Sequence, residues 1–314
     1  MSSQVSLPPW HTQIGSQRDW VWRGWQIRYT YIRAAQPSPA RDLPPLIFLH
    51  GFGSALTQWQ ANLRPLSQFH NVYAIDLLGF GASEKAAESY NVSLWVEQVY
   101  EFWRTLIGVP AVWVGHSLGA LVALTAAATH PELVQGLVLI TLPAARQELL
   151  PGRLQAMVGK IEALFTTPLL IRPLFHMVRR PSMVRSILRL AYADSNRVTE
   201  EVVMSFATPG LDRGAARAFC RLAQARTKND FSPLTKALLP GVQVPILMLW
   251  GEQDRVIPLT WGRQLSPLNP QVTLVEIPEA GHCLYDECSD RVNQEILNWL
   301  AVQEGETDRS DRTP

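Results

Sequence analysis

The chain has 314 residues, 47% hydrophobic and 18% charged, with a formal net charge of +1. That is enough apolar material for one large α/β domain or two smaller ones, and it excludes general disorder. The near-neutral charge argues against nucleic acid as a partner, and the scattered Cys220, Cys283 and Cys288 form neither a metal-site spacing nor a disulfide framework, a pattern that suits a reducing compartment.

Met1 to Trp10 holds no basic segment followed by an apolar run, so no signal peptide is expected and the protein is placed in the cytoplasm, not secreted. The most apolar stretches, residues 120–128 and 136–142, fall far short of the roughly 20 residues that span a bilayer. Residues 18–33 alternate apolar and polar around Gly24, which predicts an antiparallel pair of strands turning near Arg23-Gly24. A Pro-rich loop follows. The short apolar run at 46–50, bounded by Pro and Gly, then predicts a strand buried on both faces. The same signature recurs at 72–76, 111–114, 137–141, 246–250 and 272–277, with helix-length stretches at 94–106, 118–129 and 259–265 between them. Ser289-Asp290 caps a last helix expected to end near Leu300. Strands alternating with helices predict a mostly parallel sheet covered on both faces.

The rhythm breaks between Pro143 and Pro240. Only helical periodicity is present there, at 154–165, 169–178, 183–192, 199–207 and 215–225, so residues 143–240 are expected to form a helical cap on a core made of 1–142 and 241–302. The polar tail, 303–314, is expected to be disordered. Residues 143–240 carry 15 Lys/Arg against 7 Asp/Glu, a basic lid on an acidic body. This reads either as a solvated helical surface or as a face suited to peripheral contact with an anionic membrane surface.

Gly115-His116-Ser117-Leu118-Gly119 lies between a strand and a helix. A serine there sits on a sharp, strained turn, with its hydroxyl raised at the C-terminal edge of the sheet and a helix N-terminus beneath it. A hydroxyl needs a base to become a nucleophile. His282, in the loop after the strand at 272–277, is the best placed; His11, His70, His130 and His176 lie outside any strand-end loop, and His50 is expected to serve loop geometry. Asp254, in the loop after 246–250, is the candidate carboxylate to orient His282, with Glu252 expected to point away. His50-Gly51-Phe52-Gly53 follows another strand, and the backbone N–H groups of Phe52 and Leu118 are the candidate oxyanion donors. His116, Phe165 and Phe175 are expected to contact substrate. Leu164, Leu169, Leu170 and Met177 are expected to shape an apolar pocket with them, or else to be ordinary helix-packing residues.

With these four loops, the chain from about Trp20 to Leu300 resembles the α/β-hydrolase superfamily, with Ser117, Asp254 and His282 in that family's chain order. Residues 76–83 also resemble the family's next, mostly structural loop. A narrower likeness rests on Ala191-Tyr192-Ala193-Asp194, on Trp261-Gly262, and on Gly281-His282-Cys283 followed by Asp286-Glu287. These resemble the pheophytinase and chlorophyll dephytylase group of plants and cyanobacteria; that group often has Asn before the nucleophile, where this chain has His116. The resemblance implies an α/β-hydrolase fold with an inserted cap, and a serine hydrolase that cleaves a small-molecule, hydrophobic carboxylic ester with no metal or organic cofactor. A phytyl ester of a chlorophyll-type pigment is one such substrate. Asp would stand at Ser117 in epoxide hydrolases and dehalogenases. Generic esterase or lipase action, carbon–carbon bond hydrolysis and perhydrolysis share the serine, and a catalytically silent binding protein shares the fold.

Overall fold

The computed structural model describes residues 14–36, 43–149 and 168–310. The hairpin β1 (Ser16–Trp22) and β2 (Trp25–Ile32) turns at Arg23 and Gly24, both at positive φ. Strands β3 (Leu46–Leu49), β4 (Val72–Ile75), β5 (Ala111–His116), β6 (Val134–Ile140), β7 (Ile246–Gly251) and β8 (Val272–Ile277) complete one sheet of order β1-β2-β4-β3-β5-β6-β7-β8. From β4 to β8 every pairing is parallel, so the strand C-termini share one edge.

The central strands are apolar throughout because both of their faces are covered. Ile47, Leu49, Trp113, Leu137, Leu139 and Met248 pack on one side. Phe48, Val112, Val114, Val138, Ile140, Leu247 and Leu249 pack on the other. Helix α1 (Val92–Leu106) is opened by the Asn91 side chain, which accepts the Leu94 N–H at 2.8 Å, and it turns Trp95, Val99 and Phe102 inward. Helix α2 (Leu118–Thr129) is buried along nearly all of its length, so its sequence shows no polar face.

Between β6 and β7 the described residues form helices α3 (Pro168–Val178), α4 (Pro181–Ala191), α5 (Glu200–Ala207) and α6 (Ala215–Arg226), and no strand. Helix α3 packs on α6, and α4 on α5. The helical stretch expected at 154–165 lies outside the described residues. Helices α7 (Leu259–Leu265), α8 (Leu284–Glu287) and α9 (Ser289–Ser310) follow β7 and β8. Helix α9 runs past Leu300 to Ser310, so the segment expected to be disordered from residue 303 is helical up to there. Once Val292, Ile296 and Trp299 are packed, adding residues to a formed helix carries no new nucleation cost. No helix among the described residues is long and apolar enough to cross a membrane.

Two buried polar groups brace the strand ends. The His50 Nδ1–H donates to the Gly51 carbonyl at 2.8 Å, and His50 Nε2 accepts the Leu77 N–H at 3.0 Å, which confirms the loop role expected of it. Asp76 accepts the Leu56 N–H on one oxygen at 2.6 Å and the Ala82 N–H on the other at 2.7 Å. Burial lowers the His50 pKa to about 4 and raises that of Asp76 to about 6. The two act on stability with opposite sign. As pH falls from 6.5 towards 4 the unfolded chain protonates its histidine while folded His50 resists, so stability is lost; folded Asp76 takes up a proton first between about 6 and 3.8, which adds stability. The His50→Gln variant removes only the first slope. Urea unfolding from pH 7 to pH 4 is expected to show it losing about 3 kcal/mol less than wild type.

Candidate active site

The turn joining β5 to α2 is tight. A Cβ on Gly119 would lie 2.2 Å from the Leu49 carbonyl oxygen of β3, and one on Gly115 would lie 2.4 Å from the Gly119 carbonyl oxygen. Only glycine at both positions lets the start of the helix press against the strand. Ser117, between them, takes φ +50° and ψ −114°, a conformation that costs a non-glycine residue on the order of 1–3 kcal/mol. Its N–H donates to the Ile140 carbonyl at 2.9 Å and its carbonyl accepts the Leu121 N–H at 3.1 Å, which hold the turn in place. Leu118 is the first residue of α2, so its N–H has no acceptor within the helix.

Asp254 follows β7 and is buried. Its Oδ1 accepts the N–H groups of Val256 and Ile257, both at 2.8 Å, and its Oδ2 accepts from His282 Nδ1 at 2.9 Å. Three donors therefore orient the carboxylate, and the bond to His282 leaves Nε2 as the free ring nitrogen. Glu252 is exposed, as expected. Since β5, β7 and β8 run parallel, Ser117, Asp254 and His282 all stand at the same edge of the sheet. The turn bearing Phe52 follows β3 at that edge, and the Phe52 ring meets Phe80 edge-on at 5.4 Å while the Arg226 guanidinium of α6 lies 4.8 Å above it.

The three residues expected to contact substrate fare differently. His116 is buried, with its ring 4.7 Å from that of Tyr285, and its Nε2–H donates to the backbone carbonyl of His282 at 3.0 Å. As the last residue of β5, it projects under the His282 loop, where it supports that loop instead of lining an open cleft. Burial holds its pKa well below the ordinary histidine range, so it is neutral. Phe175 is packed within the insertion against Phe219 at 5.0 Å, in the helix-packing role that was the alternative reading. Phe165 and Leu164 lie outside the described residues, as do the side chains of Leu169 and Leu170. Met177 is exposed because Ile171 and Phe175, four apart, form the inward stripe of α3.

The sequence reading assigned no role to Glu287 or Tyr192. Glu287 is buried and receives N–H groups from Gly281 at 3.0 Å, Ala193 at 2.6 Å and Asp194 at 3.3 Å. The Tyr192 hydroxyl donates to Asp286 at 2.7 Å. Periodicity carries no signal for the bonds that reach Tyr192 and Ala193, since those partners stand 94 positions apart.

The sequence pattern of the family described as alpha/beta hydrolase fold matches residues 44–288. A dihydrolipoyllysine-residue acetyltransferase component of the acetoin cleaving system from Pseudomonas putida is 30% identical, over 82% of this chain and 63% of its own length. The chloroplastic pheophytinase of Arabidopsis thaliana is 26% identical over 82% of this chain and 61% of its own. The chain thus spans about three fifths of the length of these two relatives. The crystal structure of a bacterial membrane phospholipase A superposes with a TM-score of 0.73 at 25% identity, over 92% of this chain and 86% of that one. On this matched pattern and on its sheet topology, the chain belongs to the α/β-hydrolase fold family and is similar to hydrolases of that family.

Proposed function

We propose that the protein is a serine hydrolase that cleaves carboxylic esters through Ser117, His282 and Asp254. The observation that carries this reading is the 2.9 Å bond from His282 Nδ1 to a carboxylate held by two further N–H groups, at the sheet edge where Ser117 is held in a strained turn. In the proposed reaction His282 Nε2 takes the Ser117 proton as Oγ attacks the ester carbonyl carbon. The carbonyl π electrons move to oxygen, and the N–H groups of Phe52 and Leu118 receive the oxyanion. Asp254 stabilises the imidazolium without taking its proton. As the tetrahedral adduct collapses, the imidazolium gives its proton to the departing alkoxide and an acyl-serine remains. A water activated by His282 then releases the acid and restores Ser117. Of the rival chemistries in this fold, those that attack through an aspartate are disfavoured by the serine at 117, and a silent binding module by the anchored Asp254–His282 pair.

For the substrate we propose a hydrophobic ester, with the phytyl ester of a chlorophyll-type pigment as the leading candidate. The pheophytinase likeness supports the pigment, and the surface of the helical insertion, which we take as a cap over the sheet edge, supports an apolar substrate drawn from a lipid phase. Leu174 and Met177 on α3 and Ile187 and Leu190 on α4 are 43–64% exposed, amid Arg172, Arg179, Arg180 and Arg189. Apolar side chains among cations suit the surface of an anionic bilayer, where each cation contributes on the order of 1 kcal/mol.

Four measurements test these points. A fluorophosphonate probe is expected to label wild type and not Ser117→Ala, and absence of Ser117-dependent labelling on folded protein would favour the binding module. Asp254→Asn is expected to keep the fold and lower kcat by about 10³–10⁴. Offered pheophytin beside short- and long-chain p-nitrophenyl esters, the enzyme is expected to release phytol; fast turnover of short esters with no phytol release would reject the pigment reading. Vesicles containing phosphatidylglycerol are expected to bind the protein in a salt-sensitive way that Ile187→Ser/Leu190→Ser weakens, and equal binding to neutral vesicles would reject the membrane contact.

A further inference from the structure

The loop bearing His282 is bonded along one side to the segment that ends α4. The His282 N–H donates to the Ala191 carbonyl at 2.7 Å, and Gly281 lies so close to the same segment that a Cβ there would sit 2.5 Å from the Ala191 oxygen and 2.7 Å from the Ala193 nitrogen. Glu287 closes the arrangement from below. One carboxylate oxygen accepts from Gly281, next to His282, and the other accepts from Ala193 and Asp194. The neighbouring Asp286 takes the Tyr192 hydroxyl, so two successive acids of α8 grip the same four-residue segment.

Nothing in the proposed reaction needs a carboxylate at this place, and a buried carboxylate costs free energy unless its oxygens are satisfied. Here both oxygens are, by donors from two separate backbone segments. An ionised carboxylate is the one ordinary side-chain group of this size that accepts on both ends; a carboxamide accepts on one end and donates on the other. The carboxylate therefore joins two backbone segments that would otherwise present N–H groups to each other.

We infer that Glu287 is a positioning residue that ties the helical insertion to the His282 loop, so that the imidazole reaches Ser117 only while the segment 191–194 is seated. This rests on the reading of Ser117 and His282 as nucleophile and base. Glu287 touches no reacting atom; it acts through the Gly281 backbone. Loss of the tie therefore slows the chemical step and leaves the binding of a small ester nearly unchanged.

The test uses the full chain, p-nitrophenyl butyrate and amide hydrogen exchange. Glu287→Gln can satisfy only one of the two segments. Its kcat is expected to fall tenfold or more with KM within threefold of wild type. Exchange at Gly281, Ala193 and Asp194 is expected to quicken together by tenfold or more while β5 stays protected. Wild-type kcat in this variant, a change in KM alone, or unchanged exchange at Gly281 would overturn the inference. If Glu287→Gln does not fold, Tyr192→Phe removes the adjacent tie, and a two- to fivefold fall in kcat at constant KM is expected; an unchanged kcat would overturn the inference by that route. A wild-type chain inert towards both the ester and fluorophosphonate would overturn the serine reading instead, and the coupled exchange of the three amides would then decide alone whether the tie exists.

Discussion

The close approach of the start of α2 to β3 is the constraint on which the rest of the site depends. With no side chain at Gly115 or Gly119, backbone meets backbone, and the turn between them has room only for a residue at positive φ. A serine placed there is strained by on the order of 1–3 kcal/mol. Its bonds to Ile140 and Leu121 offset part of that cost, and the sheet, buried on both faces, resists relaxation. The strain has a geometric consequence: Ser117 is held beyond the strand ends, where the loops after β3, β7 and β8 converge.

Buried polar groups around this edge share one design. His50, Asp76, Asp254, His116 and Glu287 each face backbone groups, and their bonds join loops that have no apolar core of their own. Hydrogen bonds to the backbone suit this role because they fix direction as well as distance. His50 links the Gly51 turn to Leu77, and His116 supports the carbonyl of His282 from beneath. Both stay neutral because burial penalises their charged forms.

The helical insertion is bound to this edge at separate points. Lys85, buried among the carbonyls of Gly81 and Ser83, reaches Asp212, just before α6. Arg226 lies over Phe52, and the segment after α4 is bonded to the His282 loop. The insertion is thus in contact with the turn proposed to hold the oxyanion and with the loop proposed to hold the base. Its outward faces, by contrast, leave Leu174, Met177, Ile187 and Leu190 exposed, which an isolated soluble surface does not require.

The sequence by itself determined the β1–β2 hairpin, the buried strands, the helical insertion and the loop positions of Ser117, Asp254 and His282. These are properties of local pattern: apolar runs of strand length, glycines at a turn, and chain order. The Gly-x-Ser-x-Gly spacing was legible because backbone proximity forbids any other residue at its ends. Local pattern misled where a side chain's direction mattered. His116 reads as a turn residue open to substrate, yet the end of β5 aims it beneath the neighbouring loop; residues 303–310 read as too polar to order, yet they extend a helix already nucleated by Val292 and Ile296. Only the tertiary structure decided that Glu287 joins Gly281 to Ala193 and that Arg226 covers Phe52. Such contacts bring together segments far apart in the chain, and no periodicity along the chain encodes which segments will meet.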